Sequence, residues 1–149
     1  MSSIEAALFA YLSGLPAIQG LLGNPDGSVR IYRDTLPEEV AYPAMTFFRV
    51  STPRVHALDG PTGLASPRFQ FSAWSGDVAN PDGSTRSGAD DVLDIIDAVR
   101  VALDGYSGAM NGVAVRAILA DEEGDRDMYD EKTRSYHRMI DFMVSHIET

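Results

Sequence analysis

Apolar and polar positions along this chain follow two rhythms. From Ile4, the residues Leu8, Tyr11, Leu12 and Leu15 return every three or four positions, which places them on one face of a helix. Ser2 and Glu5 have the spacing of a capping box at its start. Gly14 and Pro16 break the helix, and residues 17–22 read as a further short turn. A second helical run holds Val92, Ile95, Ile96, Val99 and Leu103 on a broad apolar face, with Asp90, Asp94, Asp97 and Asp104 near an opposing stripe. Ser87 and Asp90 form its capping signal, and Asp104-Gly105 closes it.

The other rhythm is twofold. Residues 44–50, "AMTFFRV", are strand-prone in composition. In residues 68–74, Phe69, Phe71 and Ala73 share one face, while Arg68, Gln70 and Ser72 share the other with Trp74. Residues 113–119 place Val113, Val115, Ala117 and Leu119 on one face. Residues 135–147 put Tyr136, Ile140, Phe142 and Val144 on one face and His137, Met139, Asp141 and Met143 on the other. A short strand is expected over residues 29–33. Between the strands lie a Gly/Pro-rich loop over residues 53–67 and the pentapeptide "NPDGS", present at both 24–28 and 80–84. The flanks of the two copies differ, so they read as one turn chemistry used twice rather than a repeat. The expectation is a single α+β domain over residues 1–149. It has an antiparallel or mixed sheet of about five strands, two main helices packed on one face, and the order α-β-β-β-α-β-β.

Composition narrows the function. The chain has 149 residues, no cysteine and a formal charge of −10. A disulfide framework, a cysteine zinc site and a cysteine nucleophile are excluded. Residues 121–131 carry seven acids and one Arg, residues 87–104 carry five acids and one Arg, and the rest of the chain is balanced. There is no basic stripe for tight nucleic-acid binding. No leader or apolar run predicts a cleaved signal or a membrane span.

No catalytic set, cofactor motif or metal-ligand spacing emerges. His56 lies in the 53–67 loop, and His137 and His146 fall on opposite faces of the last strand. "GPTG" precedes a strand rather than a helix, so it is not a phosphate cradle. The stretch "DEEGDRDMYDE" offers clustered carboxylates of the kind calcium favours, but it lacks the EF-hand spacing and reads first as a solvated hairpin end. Trp74, Met139 and Met143 leave two readings open, packing at the sheet or contact with a partner.

Several strings, in order, resemble one family. "IEAALFAYLSGLPAIQGLLG" is followed by "VRIYRDTLPEEVAYPAMTFFRV", then "LDGPTGLASPRFQFSAW", "ADDVLDIIDAVRVALDGY" and "DRDMYDEKTRSYHRMIDFMV". Together they resemble the small tail-completion, or tail-terminator, proteins of long-tailed bacteriophages. The second "NPDGS" departs from that pattern by lengthening one connection. The resemblance implies a structural virion protein, not an enzyme. It implies a ring, usually of six copies, at the head-proximal end of the tail, the neck-tail junction, put together in the host cytoplasm. The ring would stop tube growth, contact the tail tube protein and a head-tail connector or stopper protein, and let DNA pass through its lumen without tight binding. Under that reading Arg54, His56, Leu58, Asp59, Gly60, Thr62 and Leu64 of the loop, with Met139 and Met143, are candidate subunit or tube contacts. Asp121, Glu122, Glu123, Asp125 and Asp127 are candidates for an acidic lumen or rim. A head-completion protein of the same particle and a calcium-binding accessory domain using residues 121–131 are the alternatives.

Overall fold

Helix α1 (Ile4–Ser13) and helix α2 (Pro16–Leu22) open the fold in a computed structural model that describes residues 3–148. Ile4, Ala7, Leu8 and Leu12 are buried, as the spacing requires. Ser2 lies outside the described residues, and the observed cap is Ser3, whose Oγ accepts from the Ala6 amide at 3.0 Å. Glu5 does not reach back to the cap. It is buried and accepts from Arg33 and Arg49, which ties α1 to the sheet.

The strands are β1 (Ile31–Arg33), β2 (Ala44–Ser51), β3 (Arg54–Ala57), β4 (Gly60–Ala65), β5 (Arg68–Gly76), β6 (Val78–Ala79) and β7 (Thr85–Arg86), followed after helix α3 (Gly88–Leu103) by β8 (Gly108–Met110), β9 (Val113–Ala120), β10 (Arg126–Asp130) and β11 (Ser135–Ile147). Nine of them form one mixed sheet, and β6 and β7 form a separate hairpin. The expected class therefore holds, with more strands than the pattern indicated. The additional ones lie in segments that read as loops, where backbone pairing rather than apolar alternation makes the strand.

β11 is the axis of the sheet. Along one edge it pairs antiparallel with β5 and then β4, in one unbroken register from Gly76 opposite Ser135 to Leu64 opposite Ile147. Along its other edge it pairs with β10 and then β9. β2 pairs with β5, and β1 runs parallel to β2. One face of this sheet carries Phe47, Phe69, Phe71, Ile140, Phe142 and Val144 against the buried faces of the helices. Phe71 stacks on Phe47 at 5.5 Å between ring centroids and meets Phe142 edge-on at 5.7 Å.

Val92, Ile95, Ile96, Val99 and Leu103 of α3 are all buried in this core. Ser87 occupies the N-cap but its side chain makes no capping bond, and Asp77 Oδ1 instead accepts from the Gly88 amide at 2.9 Å. Gly88 allows this seat. A Cβ there would lie 2.7 Å from the Gly76 carbonyl carbon and 2.9 Å from Tyr136 Cδ2. At the other end, Gly105 turns the chain away with φ +83° and donates to the Ile118 carbonyl at 2.7 Å.

Two sequence expectations are corrected here. In β9, Ser145 pairs with Ala117 but His146 pairs with Val115, which leaves Arg116 as an extra residue. This bulge flips the alternation, so Ile118 is buried and Leu119 is 58% exposed, on the opposite side from Val113 and Val115. Residues 53–67 are a hairpin rather than a loop: β3 and β4 pair antiparallel, with Ala57 opposite Gly60. The two "NPDGS" turns do share one chemistry. Asp26 accepts from the Ser28 amide at 3.0 Å and Asp82 from the Ser84 amide at 2.9 Å, and each of Gly27 and Gly83 has φ +89°. No single helix among the described residues is long and apolar enough to cross a membrane.

Candidate assembly surfaces

The β3–β4 hairpin is an arm that runs on past the end of the sheet. Only Ala65 and Leu64 of β4 pair with β11. Beyond them the strands pair only with each other, every residue of β3 is exposed, and Leu58 at the tip is 110% exposed. Gly60 follows the tip with φ +133°, a conformation that a side chain would resist. Thr62 Oγ1 donates to the Val55 carbonyl at 2.8 Å and braces the two strands. At the root, Arg54 clasps Glu148 through two bonds of 2.8 and 3.2 Å, and the Glu148 amide donates to Gly63 O at 2.7 Å. Arg54, His56, Leu58, Asp59, Gly60, Thr62 and Leu64 thus all belong to one projecting element.

Met139 and Met143 lie elsewhere, on the β11 face turned away from the helices. Met139 is only 8% exposed, and its sulfur accepts from Gln70 Nε2 at 3.0 Å, so its neighbours on the sheet already cover it. Met143 is half-buried. Trp74 shares this face and stacks on His137 with centroids 3.6 Å apart, while its Nε1 donates to Thr46 Oγ1 at 3.2 Å. His137 thus covers one face of the indole. Burial, helped by the nearby Arg126 charge, holds the His137 imidazole below its ordinary pKa. His146 is buried on the core side and His56 is exposed on the arm, so the three histidines do not converge.

The acidic segment is less free than its composition suggests. Arg68 reaches Asp121 at 2.8 Å and Asp141 at 2.9 Å, and Arg126 bridges Asp141 at 2.7 Å to Glu123 at 3.0 Å. Arg138 holds Asp125 at 2.8 Å and Asp127 at 2.6 Å. The Glu123 amide and Arg68 together keep the Asp121 carboxyl below the usual carboxylate range. Of Asp121, Glu122, Glu123, Asp125 and Asp127, only Glu122 has no cationic partner among the described residues. Carboxylates that accept from guanidinium groups are not arrayed for a cation, and no group of three or more His, Asp or Glu residues has metal-binding geometry among the described residues. Arg68, Arg138 and Asp141 were the functional neighbours that the acidic run did not reveal. For Arg68 and Asp141 the outward parity on two strands was the available signal; Arg138 has the parity of Ile140 and Phe142, and nothing in the sequence pairs it with Asp125 and Asp127.

The comparisons with known proteins agree with this architecture. A protein-family model described as "Tail completion protein gp17" matches residues 6–146. A chain from a solved structure, "Virion of native gene transfer agent (GTA) particle", shares the fold with a TM-score of 0.69 at 16% identity, covering 97% of this chain and 95% of that one. No curated protein sequence matches at a significant level.

Proposed function

The chain belongs to the family of tail completion protein gp17, and on that premise we propose that it caps the head-proximal end of a phage-like tail as a closed ring. Membership makes it a structural, tail-associated virion protein rather than an enzyme. The finer reading is a ring of identical copies, six by the family resemblance, that ends tail-tube growth, presents a surface to the connector and leaves a lumen for DNA.

The observation that carries this reading is the arm. An isolated two-stranded hairpin is marginally stable in water. Here one projects from the sheet with Leu58 wholly in solvent at its tip. Both features are unfavourable for a free monomer and are offset when a neighbouring subunit covers them. Contact between different surfaces of identical copies closes into a ring when its rotation divides a full turn. The exposed acids Glu122, Asp90 and Asp94, with a formal charge of −10 overall, suit a lumen that repels phosphate and lets DNA slide.

Negative-stain microscopy of the protein mixed with tail tubes tests the reading. Rings seated on one end of each tube are expected. Decoration of connectors with bare tube ends would transfer the protein to the head side of the junction.

A further inference from the structure

We infer that the arm tip of one copy seats in a specific groove of the next, with Leu58 over Gly20 and Asp59 beside Arg86. The inference rests on the ring reading above and names the surface that receives the arm. The groove, about 350 Å³, opens between α2, the residues leading into β2, and α3. Its lining includes the buried Ile95, the half-buried Pro43 and the exposed ring of Tyr42. Arg86 stands at its margin with its side chain 46% exposed. Asp91 holds its Nε at 3.2 Å, and its two Nη groups make no hydrogen bond among the described residues.

Gly20 is the second observation. It sits inside α2, where glycine is the poorest helix former after proline. Nothing lies within 4 Å of the place where its Cβ would stand, so the fold of the single chain does not require a glycine. A bare backbone in a groove suits close approach by another chain. The arm offers an apolar side chain followed by a carboxylate, and the groove offers the apolar Leu21, Pro43 and Ile95 among polar neighbours, with the Arg86 guanidinium at its margin.

The occupant is a second copy because the arm cannot reach its own groove. Pro43 precedes Ala44, which pairs with Trp74, which pairs with His137 near the start of β11. The arm departs beyond Ile147 at the other end. The separation along β11 is about 33 Å at the usual rise per strand residue, and the arm points further away. Tip and groove therefore lie at opposite ends of the molecule, the arrangement of a head-to-tail contact.

The absence of cysteine makes the test free of background. In a protein carrying both Ala41→Cys and Leu58→Cys, two exposed positions, oxidation of assembled material should give a ladder of covalent multimers on a non-reducing gel. Either single variant should give none. Gly20→Leu should raise the melting temperature of the free chain and yet lower the assembled fraction at least tenfold. Rings that form without a ladder, with Gly20→Leu assembling like the parent, overturn this contact and leave the ring intact. A parent protein that forms no ring alone or on tubes overturns both.

Discussion

Arg54 and Glu148 join the root of the arm to the end of the last strand through a two-point ion pair, Nε to Oε1 at 2.8 Å and Nη2 to Oε2 at 3.2 Å. The pair is solvent-exposed, so it orders the arm more than it stabilises the domain. Arg54→Ala should therefore speed amide exchange in residues 54–64 while leaving the melting temperature nearly unchanged. Arg54 holds the Glu148 carboxyl below its usual pKa. The contribution to arm order is then full above the ordinary glutamate pKa and fades as pH falls through the lowered one. Hydrogen exchange followed from neutral to acid pH checks both statements.

His137 has the opposite sense. Its pKa is lowered in the fold, so the unfolded chain takes up a proton first as pH falls. Stability should drop as pH decreases below the ordinary histidine value and level off below the lowered one. Trp74 is the single tryptophan and stacks on this ring, so its fluorescence reports the change directly. His137→Phe should keep the stack and flatten this part of the pH profile.

Gly88 and Gly20 should respond to alanine with opposite signs. At Gly88 the new methyl meets the Gly76 backbone at 2.7 Å, and a loss of about 1–3 kcal/mol is expected from the overpacking. At Gly20 the space is open, and a gain of about 0.4–1 kcal/mol is expected from reduced freedom in the unfolded chain. Urea denaturation of the two variants measures both.

Glu5 is buried between Arg33 and Arg49, and Arg49 also lies over the Phe69 ring at 5.5 Å. Glu5→Ala strands two guanidinium groups that remain partly solvated, so a loss of about 1–3 kcal/mol is expected. Arg33→Ala should cost less, because that side chain is the more exposed partner. Comparison of the two denaturation midpoints decides the order.

The sequence made the core legible where a wide apolar face repeats without interruption. Val92 to Leu103 on α3, and Phe69 with Phe71 on β5, are read correctly because each sits in one regular element with one buried side. Leu119 was misplaced because the twofold count assumes no insertion, and Arg116 is one. The arm was hidden for another reason. Gly60, Pro61 and Gly63 give no apolar alternation, and their strand is defined by pairing with β3 and, at Ala65 and Leu64, with β11. The capping motifs pointed to the right helix ends and the wrong acceptors, since Asp77 lies across a hairpin from Gly88. The charge count located an acidic segment but not its partners, because which residue of β5 faces which residue of β11 is a property of the paired sheet. The candidate contacts on the arm were legible as a segment and gained a shape only in three dimensions.

Tail-tube growth followed over time tests the central claim most directly. Tube subunits polymerise in the presence of this protein, of a variant with the arm tip 57–60 replaced by a two-glycine turn, or of neither, and tube lengths are measured by microscopy. The account predicts that the parent protein arrests elongation at one end with a ring attached, and that the tip variant folds but lets tubes grow on. Tubes that lengthen at the same rate with the parent protein bound at their ends would contradict it.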